Sequence, residues 1–313
     1  MNSALVLYGS NNVYALKTDD GRLLEGRIKG KVLKEAAGWY NPLAAGDRVV
    51  IEETNPATAL ITGLIPRQNC FCRWNQKGKS SQILAANVDQ VFCLTTKADP
   101  PFRPRFLDRI LVQADVEGIV PIIVMNKTDL PDEDLDRDER MHDYRNIGYR
   151  IIELSAKTGE GMEAFRDLVK GQRSVLVGQS GVGKSTLLNV LDPALGLRTA
   201  EINRKYQRGN HTTTMAILHE LPSMGEGTLI IDTPGIRRMV PSGVTAETLA
   251  AHMNEFAPLL GQCSFGMSCR HEKEPGCKIL EAIDAGLIHE DRYESYLRIR
   301  DELAGRLPYW DQD

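Results

Sequence analysis

Residues 178–185, which read GQSGVGKS, decide the fold of this chain. The stretch fits the pattern G-x-x-x-x-G-K-[ST], follows a predicted strand at Ser174–Val177 and opens a predicted helix at Lys184–Leu191. Its glycines let backbone N–H groups turn inward around a phosphate at a helix N-terminus, where the helix dipole favours anions. We therefore expect Lys184 to contact the β- and γ-phosphates of a nucleotide and Ser185 to bind Mg²⁺.

A polar motif upstream of this loop indicates the base of the nucleotide. The tetrapeptide NKTD at residues 126–129 ends a predicted strand at Val120–Met125. Asp129 can accept hydrogen bonds from the N1–H and the exocyclic amine of guanine, whereas adenine would leave the carboxylate unpaired. We expect Asn126 to support the other edge of the base and Lys127 to pack along the phosphate loop.

Two further motifs also follow predicted strands. SAK at residues 155–157 comes after Ile151–Leu154 and should give a backbone contact to the guanine oxygen. DTPG at residues 232–235 comes after Leu229–Ile231 and should supply a carboxylate for a Mg²⁺-bound water and a glycine N–H for the γ-phosphate. Strand ends are where open α/β sheets bind ligands. The candidate nucleotide-binding residues are Asn126, Lys127, Asp129, Ser155, Ala156, Lys157, Gly178, Gln179, Ser180, Gly181, Val182, Gly183, Lys184, Ser185, Thr186, Thr213, Asp232 and Gly235.

Strands and helices alternate between these motifs. The first apolar run is Val88–Thr95, and helices are predicted at Arg105–Glu117, Asp132–Asn146 and Gly161–Lys170. This alternation predicts a central α/β domain at 81–240 with a parallel sheet covered on both faces. The base motifs precede the phosphate loop, the reverse of the order in an ordinary GTPase, so we expect a circularly permuted P-loop GTPase domain. The DTPG motif then leads directly into the C-terminal region, which a change of nucleotide could move as a lever.

The first 80 residues have a different pattern. Short β-type segments separated by turn residues occur at Val13–Lys17, Leu23–Ile28, Arg48–Glu52 and Ala59–Leu64, and they favour a small antiparallel barrel over a generic β cap. This region has a net charge of +4, whereas the rest of the chain has −8. Cations interleaved with aromatic side chains are typical of a barrel that binds nucleic acid, although a solvated charged rim with core aromatics is the alternative. The set is Arg27, Lys29, Lys31, Lys34, Arg67, Arg73, Lys77 and Lys79 with Trp39, Tyr40, Phe71 and Trp74.

The last region, 241–313, is predicted to be helical and to bind zinc. Helices are expected at Thr245–Leu260 and Lys278–Ala304, and between them lie Cys263, Cys269, His271 and Cys277. Three thiolates and one imidazole fill a tetrahedral Zn²⁺ shell and leave no open position, so the site should be structural. The other cysteines, Cys70, Cys72 and Cys93, are expected to be ordinary free thiols.

The composition excludes several classes of protein. The chain has 313 residues, 42% hydrophobic and 26% charged, with a net charge of −4, which rules out a uniformly basic nucleic-acid coat. No apolar run approaches the roughly 18 residues that a membrane helix needs. Met1–Tyr8 lacks the layout of a secretory signal. We expect a cytoplasmic monomer with no membrane partner.

The order of the four motifs resembles that of the circularly permuted GTPases. A preceding barrel and a following Cys/His cluster make the chain similar to the ribosome small-subunit-dependent GTPase A family (RsgA, also called YjeQ). The similarity includes residues 46–49, 65–67 and 209–214. It implies an N-terminal oligonucleotide-binding (OB) fold, a role late in maturation of the small ribosomal subunit, and slow GTP hydrolysis that the subunit stimulates. The family usually has four residues between its first two cysteines, whereas this chain has five, which makes Cys263 the least certain ligand; Gly266 could absorb the insertion.

The catalytic residue does not come from the usual place. Many GTPases use a glutamine after the D-x-x-G motif to orient water, and this chain has Ile236 there. We predict slow intrinsic turnover and take His211, which matches the family's proposed catalytic histidine, as the group that accepts a hydrogen bond from the attacking water, with Lys184 as the second catalytic residue. Alternatively, His211 only orders the switch or touches RNA. Among residues 212–214 we favour Thr213, with Ser185, as a Mg²⁺ ligand.

Two functions of different class remain at this point. The first is a GTP hydrolase whose cycle times its release from the small subunit. The second is a nucleotide-gated RNA-binding scaffold in which hydrolysis is incidental. The partner in both is the small ribosomal subunit through its rRNA, with ribosomal proteins as a further option. A second basic stretch, Arg198, Arg204, Lys205 and Arg208, could reach rRNA when GTP orders the first switch.

Overall fold

The computed structural model describes residues 2–30, 32–33, 38–131, 135–197 and 215–305. The strands are β1 (Ser3–Ser10), β2 (Val13–Thr18), β3 (Leu23–Ile28), β4 (Arg48–Asn55), β5 (Thr58–Leu64), β6 (Cys70–Asn75), β7 (Ser80–Ala86), β8 (Gln90–Thr96), β9 (Val120–Asn126), β10 (Arg150–Glu153), β11 (Arg173–Gly178), β12 (Ile217–Glu220) and β13 (Leu229–Asp232). The helices are α1 (Pro104–Val116), α2 (Leu135–Asn146), α3 (Met162–Val169), α4 (Lys184–Leu191), α5 (Lys278–Asp284) and α6 (Glu290–Leu303). Within these ranges no helix is both long and apolar enough to span a membrane.

The predicted N-terminal barrel is confirmed, although one of its five strand pairs, β3 with β5, is parallel rather than antiparallel. Strands β1 to β5 close in the order β1-β2-β3-β5-β4, and the side chains of Val6, Leu16 and Ile61 are fully buried inside. The first strand was not predicted because it lacks a clear alternation of apolar and polar residues. Ala4 and Val6 face the barrel core, whereas Leu5 and Leu7 on the opposite face pack against the central domain, so both faces of β1 are apolar.

A separate hairpin joins the barrel to the central domain. Strands β6 and β7 pair as a two-stranded antiparallel sheet with an irregular register between Phe71 and Cys72. Phe71 is fully buried in the core of the central domain. The backbone N–H of Trp74 donates to the carbonyl of Val240 at 2.9 Å. The hairpin therefore spans the predicted domain boundary at residues 80 and 81.

The central sheet has the order β10-β9-β8-β11-β13-β12. All neighbouring strands are parallel except β12, which pairs with β13 in the antiparallel direction. Strand β12 forms one edge of the sheet and was not predicted from the sequence. Buried apolar clusters cover both faces of the sheet, as predicted for near-continuous apolar strands. This order brings the carboxyl ends of β9, β10, β11 and β13 to one edge of the sheet, although the motifs that follow them are spread along the chain.

The C-terminal region differs from its two predicted helices. The expected helix at Thr245–Leu260 is wrong: the chain there forms short 3₁₀ turns at Leu249–His252 and Ala257–Leu259. Apolar residues spaced three or four apart imitate a helical pattern, but Pro258 lacks the N–H that a continuous helix needs. The expected helix at Lys278–Ala304 is two helices, α5 and α6, because Gly286 has a φ of 70° and ends α5.

Candidate nucleotide-binding and metal sites

The phosphate loop connects β11 to the N-terminus of α4. Gly181 and Gly183 have φ values of 87° and 95°, which L side chains rarely adopt. Helix α4 begins at Lys184 and has no side-chain cap, so its first N–H groups are available to an anion. The other residues assigned to this loop lie in the same turn and first helical turn: Gly178, Gln179, Ser180, Val182, Ser185 and Thr186.

Close approaches hold the loop against the neighbouring motifs. A Cβ added to Gly183 would lie 2.4 Å from Nδ2 of Asn126, and that amide nitrogen donates to the carbonyl of Val182 at 2.8 Å. A Cβ added to Gly235 would lie 2.9 Å from the backbone of Ser180. Three motifs that are distant in sequence are thus in direct contact.

Lys184, which is buried, and Asp232, which is partly buried, are the charged groups at the phosphate end of the site. Lys184 Nζ donates to the carbonyls of Gly178 at 2.9 Å and Gln179 at 3.1 Å, and burial lowers its pKa. Burial raises the pKa of Asp232 to about 6, although Lys184 acts in the opposite direction. Among the described residues, Asp232 Oδ1 is buried without a hydrogen-bond partner. A carboxylate with one buried, unpartnered oxygen near a lysine fits a position beside a hydrated Mg²⁺, since water bound to the ion can donate to that oxygen.

The base end of the site is built around Asp129 and Asn126. The Ser155 hydroxyl donates to Asp129 Oδ1 at 2.7 Å and lowers its pKa, and Lys157 lies 3.7 Å from Oδ2. Asn126 is buried, and its Oδ1 accepts from the Ala156 N–H at 3.1 Å. The two guanine motifs are therefore joined directly, with the Asp129 carboxylate kept ionised.

A loop after β8 also reaches the site and was not recognised from the sequence. The Lys127 ammonium donates to the carbonyl of Asp99. The ring of Pro100 lies 3.7 Å from the position of a Cβ on Gly181. The sequence of 99–104 contains three prolines, which indicate a stiff connection, and nothing in this composition indicates contact with the phosphate loop.

The segment after Gly235 is tied to all three parts of the protein. Ile236 is buried in the central core, so its side chain does not face the site. Arg238 Nη2 donates to Glu302 Oε1 near the end of α6 at 2.7 Å, and Arg73 of the hairpin donates to the carbonyl of Arg238 at 3.2 Å. The expected route from the nucleotide switch to the C-terminal region thus has defined contacts. His211 and Thr213, with the rest of 198–214, lie outside the described residues.

The C-terminal cysteine and histidine ligands lie together. The ligand atoms of Cys263, Cys269, His271 and Cys277 are all within 4.8 Å of one another and all four residues are buried. Cys263 Sγ lies 3.9 Å from Cys277 Sγ, close to the edge of about 3.8 Å expected for a zinc–thiolate tetrahedron. Burial raises the pKa of Cys269 to about 12 and lowers that of His271, a cost for thiolates that a divalent cation offsets. The donor set fits Zn²⁺.

The extra residue before Cys269 is accommodated by a tight turn. Gly266 has a φ of 53° and starts a 3₁₀ turn at Gly266–Ser268. Its N–H donates to the carbonyl of Cys263 at 2.8 Å, and the Lys278 N–H donates to Cys263 Sγ at 3.3 Å. Cys263 therefore reaches the other three ligands despite the insertion.

The cation and aromatic set expected on the barrel divides into several groups. Arg67 is mostly buried and pairs with Asp47, and Phe71 is a core residue, so both are structural. Arg27 and Lys29 are exposed on the barrel, paired with Glu25 and Glu52. Trp39 and Arg73 are partly buried, and Lys31 and Lys34 lie outside the described residues. The exposed remainder belongs to the hairpin and the segment beside it: Tyr40, Trp74, Lys77 and Lys79.

Two buried polar clusters were not predicted from the sequence. One joins Asp108, Arg140 and Arg292 between the central and C-terminal domains. The other brings Cys70 and Cys72, which were expected to be without partners, against Glu117. Pairwise contacts between distant segments leave no local pattern, and only the Cys-x-Cys spacing could have drawn attention to the second cluster.

Comparison with known proteins gives a consistent result. A family model described as RsgA GTPase matches residues 64–240. A Gemmatimonas aurantiaca protein named small ribosomal subunit biogenesis GTPase RsgA is 40% identical over 307 residues, covering 97% of this chain and 98% of that relative. A Chlorobaculum parvum protein of the same name is 38% identical over 310 residues, covering 96% and 98%.

Two solved structures share the fold along nearly the whole chain. The crystal structure of YjeQ from Thermotoga maritima has a TM-score of 0.74 at 31% identity and covers 98% of this chain and 99% of that one. The structure of YloQ, titled a circularly permuted GTPase, has a TM-score of 0.67 at 25% identity and covers 98% and 96%. The permuted order and the three-part architecture are therefore shared.

Proposed function

This chain belongs to the RsgA family of GTPases, as its motif order indicated, and on that premise we propose that it hydrolyses GTP in the late maturation of the small ribosomal subunit. The observation that carries the proposal is the proximity of Lys184, at the start of the helix that follows β11, to Asp232, at the end of the adjacent strand β13. One group is cationic and the other has an unpartnered oxygen, as a site for a Mg²⁺-bound triphosphate requires. The assignment of the small ribosomal subunit as the partner rests on the names of the relatives.

The phosphates would be held by the loop and by the start of α4. The N–H groups of the first turn of α4 would face the β-phosphate, and Lys184 would exchange its two loop carbonyls for phosphate oxygens. Ser185 and Asp232 would hold Mg²⁺, the latter through water, with Thr213 as the further candidate ligand; the ion would neutralise charge that develops on the phosphates. Gly235 would donate its N–H to the γ-phosphate.

Guanine would be selected by Asp129. Its carboxylate is oriented by Ser155 and kept ionised, so it can accept the two N–H groups that guanine presents. Asn126 links the base motifs to the phosphate loop through Ala156 and Val182, which supports a fixed distance between the two ends of the nucleotide.

Hydrolysis would be slow without the subunit. Ile236 is buried, so the residue that orients water in many GTPases is missing from its usual place. We assign that role to His211, whose imidazole would accept a hydrogen bond from the attacking water when the subunit is bound. GTP hydrolysis would then be coupled to release through the contacts from Arg238 to the hairpin and to α6.

Zinc would have a structural role in the C-terminal domain. Cys263, Cys269, His271 and Cys277 offer a complete tetrahedral shell, and the segment around them consists of short turns with little regular structure of their own. We keep the domain boundaries at 1–80, 81–240 and 241–313, with the hairpin as the junction between the first two, and propose that the protein acts as a cytoplasmic monomer.

RNA contacts would involve the barrel and the exposed end of the hairpin. Lys77 and Lys79 flank Gly78, against which the exposed ring of Tyr40 packs, and the exposed Trp74 lies on the same hairpin, a combination that suits phosphates and unstacked bases. Arg27 and Lys29 would extend this surface on the barrel after exchanging their carboxylate partners for phosphates.

The buried Ile236 is the one observation that favours the alternative, a GTP-gated rRNA-binding scaffold. Multiple-turnover GTP hydrolysis with and without small subunits separates the two functions. A large stimulation that Lys184→Ala abolishes supports the hydrolase, whereas tight GTP-dependent binding to the subunit without stimulated turnover supports the scaffold. Lys170→Ala, an exposed lysine on the same domain, is the matched control and should leave both measurements unchanged.

A further inference from the structure

Cys70, Cys72 and Glu117 form a second cluster of metal-ligating atoms, far in sequence from the C-terminal one. The two cysteines lie on β6 and are buried, and Glu117 is the half-buried residue that follows α1. Cys72 Sγ lies 2.9 Å from Glu117 Oε1, and Cys70 Sγ lies 4.0 Å from Oε2. All three ligand atoms are within 4.8 Å of one another.

The alternation of side chains along β6 makes this grouping possible. In a strand, residues 70 and 72 face one side and residue 71 the other. All three residues are buried, although the register with β7 shifts between Phe71 and Cys72. The strand can therefore present both thiols to α1 while Phe71 fills the central core.

Gln113 supports the cluster from the next turn of α1. Its Nε2 donates to Glu117 Oε1 at 3.1 Å and lies 3.5 Å from Cys72 Sγ. The same side chain is fixed by Ser242, whose N–H donates to Gln113 Oε1 at 2.6 Å. A buried amide that donates to two ligand atoms orients them, as outer groups around bound metals do.

We propose that Cys70, Cys72 and Glu117 bind a thiophilic divalent cation, Zn²⁺ being the natural one, at the junction of the hairpin with α1. Two thiolates and a carboxylate leave a fourth position for water, a donor set that zinc accepts. A tetrahedral zinc site has a sulfur–oxygen separation of about 3.5 Å, which the two observed separations bracket. Small movements of the Glu117 side chain would equalise them.

An ion at this position would stabilise the hairpin. A two-stranded hairpin is only marginally stable by itself, and this one lies between the barrel and the central domain. A cation held by β6 and α1 would fix the hairpin next to Ser242 and Val240, which follow the DTPG motif. The ion would thus fix the hairpin against the segment that follows the DTPG motif.

Zinc counting on the full-length protein tests the site. We expect wild type, equilibrated with Zn²⁺ and dialysed against metal-free buffer, to retain one zinc more than Cys70→Ser/Cys72→Ser by plasma mass spectrometry. Cys93→Ala, a buried cysteine of β8 outside both clusters, is the control and should match wild type. Equal zinc in wild type and the double variant would overturn the proposal and mean that the thiols only donate hydrogen bonds to Glu117.

A second variant keeps the test decisive if the double variant does not fold. Glu117→Gln retains a side chain of the same size that still accepts a hydrogen bond from Cys72. It should lose the second zinc to a chelator at a concentration at least about tenfold lower than wild type. An unchanged chelator titration would overturn the site. If the C-terminal zinc were lost during dialysis, wild type would hold one zinc and the double variant none, and this difference of one would still support the site.

Discussion

Arg292 of α6 donates through Nη1 to Asp108 Oδ1 of α1 at 2.5 Å, and both side chains are buried. Asp108 also accepts from Tyr144 at 2.5 Å and from Arg140 at 3.2 Å, and Arg292 donates to Glu255. The C-terminal domain is therefore joined to the central domain by a charged core as well as by the apolar contacts of Val112 on α1. Such a core is sensitive to the loss of any one member, because the remaining charges are left buried.

Asp108→Asn should lower the free energy of unfolding by about 3 kcal/mol or more, because it leaves Arg292 and Arg140 without their shared carboxylate. Urea denaturation followed by fluorescence gives the value. Glu294→Gln is the matched control, since Glu294 forms an exposed pair with Arg105 and should change stability by less than about 1 kcal/mol. Equal effects of the two variants would contradict the buried core.

Acid should unfold the domain junction through the same carboxyl. Burial raises the pKa of Asp108, but Arg292 and Arg140 outweigh it and hold the pKa below its usual value. The group therefore stabilises the fold above its unfolded pKa of about 3.9, and this contribution is lost as pH falls through the folded value. The melting temperature of wild type should fall more steeply than that of Asp108→Asn below about pH 4. Parallel curves would show that other carboxyls dominate.

Asp129→Asn should change the base preference of the site from guanine to xanthine. The amide loses the charged acceptor for the N1–H and amine of guanine, and its NH₂ group can instead donate to the carbonyl that xanthine carries in place of the amine. The affinity for GDP should fall by at least about tenfold, whereas that for XDP should rise. Fluorescent nucleotide titration measures both. Asp138→Asn, an exposed aspartate on α2, should leave both affinities unchanged.

Motif chemistry predicted more of the site than local periodicity did. The residues near the nucleotide loop belong to short motifs whose spacing reflects chemistry, so Asn126, Asp129, Lys184 and Asp232 could be named from sequence and lie at one sheet edge. The failures are elements whose stability comes from distant partners. Strand β1 is apolar on both faces, and the 3₁₀ turns after Thr245 imitate a helical pattern.

Charges buried between domains were also beyond prediction. Asp108 and Arg292 are 184 residues apart, and each looks like an ordinary solvent-facing helix residue in the sequence. Nothing in either local pattern marks burial. For the same reason, the sequence did not predict that Glu117 lies against Cys70 and Cys72.

Gly235→Ala should separate GTP binding from GDP binding. An added Cβ would lie 2.9 Å from the Ser180 backbone, so the DTPG segment would have to move away from the phosphate loop. We expect GDP affinity to stay within about threefold of wild type, while GTP loses at least about tenfold because its γ-phosphate contact is removed. Gly63→Ala, where a Cβ would meet Val50 at 3.7 Å, is the control and should alter neither. An equal loss for both nucleotides would argue for general damage to the loop.

Cys263→Ser should remove the C-terminal zinc, even though the one-residue insertion separates this cysteine from the other three predicted ligands. Its sulfur lies 3.9 Å from Cys277 Sγ and accepts the Lys278 N–H, so it occupies one vertex of the predicted tetrahedron and also orders the start of α5. Without the ion, Cys269 and Cys277 lose the cation that offsets the cost of buried thiolates, and the turns around them lose their main constraint. Zinc content should fall by one per chain, and limited proteolysis should cut between residues 260 and 278. Cys93→Ala should keep its zinc and remain uncut. A Cys263→Ser protein that retains the wild-type zinc content would show that the remaining three ligands hold the ion by themselves.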